Sequence, residues 1–156
     1  SIVTDERKYI DYVKRNFDEY KKVIKAEIIN QYNKSIERLK ASYPKEEVTG
    51  WDYKSMQAKL WIDSDDKESL IENNSVLMLV NESDGTVEGI TALATRVKNN
   101  SEAYQTIYGK NTRKYKELLV SLESANTIQD LLSIQEVTKY DWNYPRWNST
   151  RKNIVS

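Results

Sequence analysis

A chain of 156 residues is long enough to bury a core of its own, and its 24 basic and 24 acidic residues balance to a formal net charge of +0, which excludes a polybasic nucleic-acid binder and an acidic solvating tail. With no Cys and no His, thiol nucleophiles, disulfides, the Ser-His-Asp triad and nearly all zinc sites are removed. Only 4 Gly and 2 Pro beside abundant Lys, Glu and Leu speak against a many-turned β fold, while 11 Tyr and 4 Trp against one Phe supply amphipathic rings suited to half-buried seams.

Thr4-Asp5-Glu6 marks a helix start, a capping hydroxyl followed by acids in the first turn. Ile10, Val13, Phe17, Tyr20, Ile24, Ile28, Tyr32, Ile36 and Leu39 follow at three- and four-residue steps. The early steps alternate as in a coiled-coil seam, and the later steps of four drift around the helix. The spacing predicts a long helix over residues 4–41, packed against a second long helix of the same chain. An intermolecular coiled coil through the same residues is the alternative. Pro44 ends the helix, because the residue before Pro avoids the α region.

Thr49 and Asp52 have capping-box spacing and predict a helix over 51–62 with Trp51, Ala58 and Trp61 inward as core anchors. Asp63-Ser64-Asp65-Asp66 alternates acids as a calcium loop does. Glu68 stands where that loop needs Gly, however, and Asn74 where it needs a bidentate Glu. The acids read instead as the cap of a short helix over 67–72. Ser75 is expected to cap a further helix over 76–81. The run Val76-Leu77-Met78-Leu79-Val80 would also suit a buried strand, but no partner strand is visible, so helix is preferred.

Ser83-Asp84-Gly85 turns the chain into a long helix over 86–125. Ile90, Leu93, Val97, Tyr104, Tyr108, Tyr115, Leu118 and Leu122 fall on one face of it, with Arg96, Lys98, Lys110, Arg113, Lys114 and Lys116 mostly on the other. Gly109 costs about 1 kcal/mol there relative to Ala and predicts a close crossing or a kink. Asn126 or Thr127 is expected to cap the next helix, Thr127 and Asp130 again having capping-box spacing, and its apolar face is Leu131, Leu132 and Ile134. From Thr138 the chain reads as irregular. The expected fold is all-α: a helical bundle of two long amphipathic helices packed antiparallel, several short ones and an irregular C-terminal tail. Its expected segments are 1–43, 44–142 and 143–156.

No carboxylate pair is singled out, and no phosphate-cradling Gly loop or helical metal pair is present, so neither enzyme activity nor cofactor nor metal is expected. Function is expected to lie in surfaces. Trp142, Tyr144 and Trp147, around Pro145, form the leading contact candidate, because Trp and Tyr dominate binding hot spots. The alternative is a tail that plugs the end of the bundle. Tyr104, Tyr108 and Tyr115 with Arg113 nearby could stack bases or sugars. The neutral charge argues against nucleic acid, and seam packing is the preferred reading. Tyr104, Tyr108 and Arg113 stay with Trp142, Tyr144 and Trp147 as candidate partner contacts. No apolar run approaches the roughly 20 residues that span a bilayer, and no secretory signal is visible, so a soluble cytoplasmic protein with no membrane partner is expected.

Several short motifs occur in a familiar order: Trp51, Gln57-Ala58 and Trp61; Ser75-Val76-Leu77; Asp84-Gly85; Val97, Ala103-Tyr104 and Gly109; Arg113 and Tyr115; then the phrase from Ser124 to Ile134, and Trp142. This order resembles the small helical tail fibre assembly proteins encoded beside tail-fibre genes in tailed phages and prophages, over roughly residues 44–142. Two departures stand out. Val76 occupies a position where that family often has Pro, and a long charged helix precedes Pro44. The resemblance implies a phage tail-associated assembly chaperone, binding a tail fibre or another tail protein in the host cytoplasm or on the virion tail. Other readings are a permanent virion adaptor, homo-oligomeric through residues 4–41, and a helical regulatory domain unrelated to phage.

Overall fold

Two long helices, α1 (Ile2–Ala41) and α6 (Val87–Ser124), carry half of the chain. Between them lie α2 (Lys45–Val48), α3 (Trp51–Asp63), α4 (Lys67–Glu72) and α5 (Leu77–Glu82), and α7 (Ile128–Lys139) follows. The structure, a computed structural model, describes residues 2–148 and 153–155; the side chains of 2–4, 9, 10, 12, 13, 146–148 and 153–155 are outside the description. The fold is the expected all-α one. Where an irregular tail was expected, β1 (Arg146–Asn148) and β2 (Asn153–Val155) pair antiparallel, Trp147 opposite Ile154. The chain divides into two compact units, residues 1–37 with 109–143, and residues 38–108 with 144–156.

In the first unit, Ile24 and Ile28 of α1 meet Leu118 and Leu122 of α6, and Leu131, Ile134 and Trp142 close the cluster. Lys21 Nζ donates to the Glu123 carbonyl at 3.3 Å, and the Tyr32 and Thr112 hydroxyls lie 2.9 Å apart. As the number rises along α1 it falls along α6, so the two segments run antiparallel, as expected. Tyr32 stacks on Tyr115 at 4.3 Å. The α7 capping box is formed as its spacing requires: Asp130 N–H donates to Thr127 Oγ1, and Thr127 N–H to the Asp130 carboxylate, both at 3.1 Å. Leu131 and Ile134 are buried, but Leu132, expected beside them, is exposed. It lies more than a quarter-turn from each.

In the second unit, Ala58 and Trp61 of α3, Val76 and Leu79, and Ile90, Leu93, Ala94 and Val97 of α6 form one cluster. Leu39, Tyr43, Ala103 and Ile107 form another, with Trp51 and Tyr104 against it. Several caps differ from expectation. Helix α1 begins at Ile2, so Thr4 lies inside it. Thr49 makes no capping box: its hydroxyl donates back to the Lys45 carbonyl, and α3 opens on Gly50 at φ 71°, a left-handed backbone that suits Gly. Helix α2 was not expected at all. Asp66 caps α4, accepting from Ser69 N–H. The run is helical from Leu77, with Val76 rather than Ser75 at the cap position and a distant side chain serving the first turn: Met78 N–H donates to Gln57 Oε1 at 3.0 Å. Helix α6 is announced by Asp84, which accepts from both the N–H and the hydroxyl of Thr86.

Candidate functional site

Helix α3 is apolar on two sides. Ala58 and Trp61 are fully buried on its inner face, and Trp61 Nε1 donates to Thr91 Oγ1 at 2.9 Å. On the outer face Tyr53, Met56 and Leu60 stand 68%, 71% and 46% exposed. Steps of three and four keep these three on one stripe, well away from the inner face. A surface helix of a monomer ordinarily carries one apolar stripe, with polar residues opposite. Here the opposite side is apolar too, and Leu77, at the start of α5, is also exposed.

A groove of about 580 Å³ borders this stripe, lined by Tyr53, Met56, Gln57, Lys59, Leu60, Asp63 and Ser75. A second of about 500 Å³ shares Met56, Lys59 and Asp63 with it and reaches Lys98, Ser101 and Glu102 of α6. The outer edge of α3 is therefore a ridge between two grooves. Its base is firm. Gln57 ties α3 to α5 through Met78 N–H, and Lys54 Nζ, on a residue only 5% exposed, donates to the Glu46 carbonyl at 2.9 Å and pairs with Glu82 at 2.6 Å. Glu47 in turn accepts from Asn100 Nδ2 at 2.9 Å and meets Arg96 at 3.4 Å. These polar groups line a smaller cleft of about 260 Å³, in which Lys54 is paired with Glu82 and Arg96 with Glu47. The cleft is a staple between helices.

The sequence-derived candidates are scattered. Trp142 is 7% exposed and sits in the core of the first unit, its Nε1 donating to the Thr138 carbonyl at 2.9 Å. It plugs that core and is nearly all buried. Arg113, in the same unit, is exposed and paired with Glu117 at 2.8 Å. In the second unit Tyr104 packs edge-on against Trp51 and Tyr43, and Tyr108 stacks beside it at 6.1 Å, partly exposed. Tyr104 is thus a seam residue. Tyr108 lies at the seam's margin, and Ile107 takes the buried place beside it. Tyr144 is exposed, with the Arg38 guanidinium 4.5 Å over its ring. The side chain of Trp147 lies outside the described residues.

The stripe on α3 was the missed feature. Its signal was present in the three-four spacing of Tyr53, Met56 and Leu60, masked because the inner Trp51–Ala58–Trp61 face accounts for the same helix. Among the described residues no group of three acids is placed to hold a metal ion, and no helix is long and apolar enough to cross a membrane. No protein-family model, no curated protein and no solved structure matches the chain.

Proposed function

We propose that this protein works by contact with another protein, through the outer face of α3, as a phage tail-associated accessory factor. The exposed Tyr53–Met56–Leu60 stripe carries the first half of this reading. Three large apolar side chains in a row, beside a groove able to accept a partner's side chains, are what a contact surface needs. The second half, a tail fibre or another tail protein as the partner, rests on the ordered motifs from Trp51 to Trp142. A chaperone of such a fibre would cover apolar surface that the fibre later buries against itself.

The test is co-expression with the fibre protein encoded alongside it, followed by affinity capture. Met56→Asp and Leu60→Asp place a charge in the stripe and touch none of the buried clusters. Each is expected to lower fibre capture by about tenfold or more, as loss of a contact hot spot does, with unchanged helicity. Undiminished capture by both variants would remove α3 as the surface.

A further inference from the structure

We propose that the part of the partner seated on α3 is an amphipathic helix that carries one acid and one base a turn apart beside its apolar stripe. This rests on the reading of α3 as the contact surface and names what that same partner presents to it. The walls of the two grooves decide between a helix and an extended segment. Apart from Ser75, every residue lining them belongs to α3 or α6. Helical backbone spends its N–H and C=O groups on its own ladder, so no sheet edge is offered to a strand. Among the described residues of the two linings Tyr53 is the one aromatic ring and Arg is absent, which leaves neither a proline-rich segment nor a phosphopeptide its usual contacts. What remains is an apolar ridge with a groove on either side, Tyr53, Met56 and Leu60 at steps of three and four. That is the relief into which a second helix fits its own side chains.

Charge sets the pattern that this helix must carry. Lys59 and Asp63 are exposed and line both grooves. They lie four residues apart, about 6 Å along one flank of the stripe. Lys98 and Glu102, on the α6 wall of the second groove, pair with each other at 3.8 Å. Lys59 and Asp63 enter no ion pair among the described residues. A base placed four residues before an acid is the weaker order for a pair within one helix. The two charges are therefore open to a partner, which meets them with an acid against Lys59 and a base against Asp63. A uniformly acidic or basic helix satisfies one of them and opposes the other. A second copy of α3 laid antiparallel sets Lys59 beside its own symmetry mate, so the chain itself does not answer the pattern.

The test uses the co-expressed fibre protein as the probe. Lys59→Glu and Asp63→Lys are each expected to lower fibre capture about fivefold, since each turns an attraction at the rim into a repulsion. That loss should vanish in about 1 M salt, where charges are screened beyond about 3 Å, while the loss in Leu60→Asp persists. Joining the two reversals in one chain keeps its net charge and should not restore capture. Limited proteolysis of the bound fibre is expected to leave a protected fragment with apolar residues at three- and four-residue steps and an acid and a base four apart. Full capture by both reversal variants, restoration by the double variant, or a protected fragment of alternating polar and apolar residues overturns the proposal. So does a dimer of the unmodified chain in sedimentation that Leu60→Asp abolishes, which would give the stripe to a second copy. If Met56→Asp and Leu60→Asp leave capture intact, the reading of α3 as the contact surface itself fails. If they abolish it while the charge reversals do not, the contact surface stands and only the charged helix is lost.

Discussion

Gly89 and Gly109 lie in the same helix and are not equivalent. A Cβ on Gly109 would meet nothing within 4 Å, so the close crossing that its position suggested is absent, and α6 continues through it. A Cβ on Gly89 would come within 2.0 Å of Asp84 Oδ1, the atom that receives the two Thr86 hydrogen bonds. Gly109→Ala is therefore expected to raise stability by about 0.5–1 kcal/mol in urea unfolding, the ordinary helix-propensity gain. Gly89→Ala is expected to yield no gain, because the new methyl displaces the carboxylate that starts the helix. Equal gains at the two sites would show that the Asp84 turn does not matter. The legible caps were those whose partners lie within four residues. Thr127 with Asp130 is such a pair, and Thr127→Ala should cost about 1 kcal/mol. The Gln57 cap on Met78 spans 21 residues, and no local pattern announces it.

Helix-scale periodicity told which face turns inward and failed where polar residues are buried. The α6 stripe was read through its Leu, Val and Tyr positions. Asn100 and Asn111 are as buried as any of them. Their burial depends on partners far along the chain, which spacing cannot supply. Asn111, fully buried, accepts from Asn143 N–H at 2.8 Å and donates to the Asn143 carbonyl at 3.0 Å. It thereby clamps the segment after α7, in which Asp141 is left-handed at φ 64°. Lys114 adds a hydrogen bond to the Tyr140 carbonyl, and its ammonium lies 4.7 Å from the Trp142 ring. Burial lowers the Lys114 pKa, with Asp141 opposing. These contacts turn an apparent surface Trp into core. Trp142→Ala should cost about 3–5 kcal/mol, and Asn111→Ala about 2–3, since the latter strands two backbone groups. Thermal melts of the two variants check this. If Trp142→Ala melted like the unaltered chain and lost only fibre capture, Trp142 would belong to the contact surface after all.

Across the whole molecule, the absence of His sets the response to pH. No side chain of ordinary pKa titrates between about pH 5 and 9, so stability should be flat across that window. The edges come from groups that the fold perturbs. Asp84 is held below its ordinary 3.8 by the Thr86 hydroxyl and then the Thr86 N–H, and Asp130 by the Asn126 N–H and then Thr127. A carboxylate whose folded pKa is depressed gives its full stability above the unfolded value and loses it as pH falls through the folded one. Below that point the 24 acids are neutral and the 24 cations repel one another. On the alkaline side burial, then Tyr104 and Glu47, raises the Tyr43 phenol above its ordinary 10.0. A raised pKa gives full stability below the unfolded value and loses it as pH rises through the folded one. Urea midpoints should therefore form a plateau with a drop below about pH 4, and Asp84→Asn with Asp130→Asn should lower the plateau and soften that drop. A maximum near pH 6–7 would mean that some group titrates there whose pKa the fold has shifted by several units.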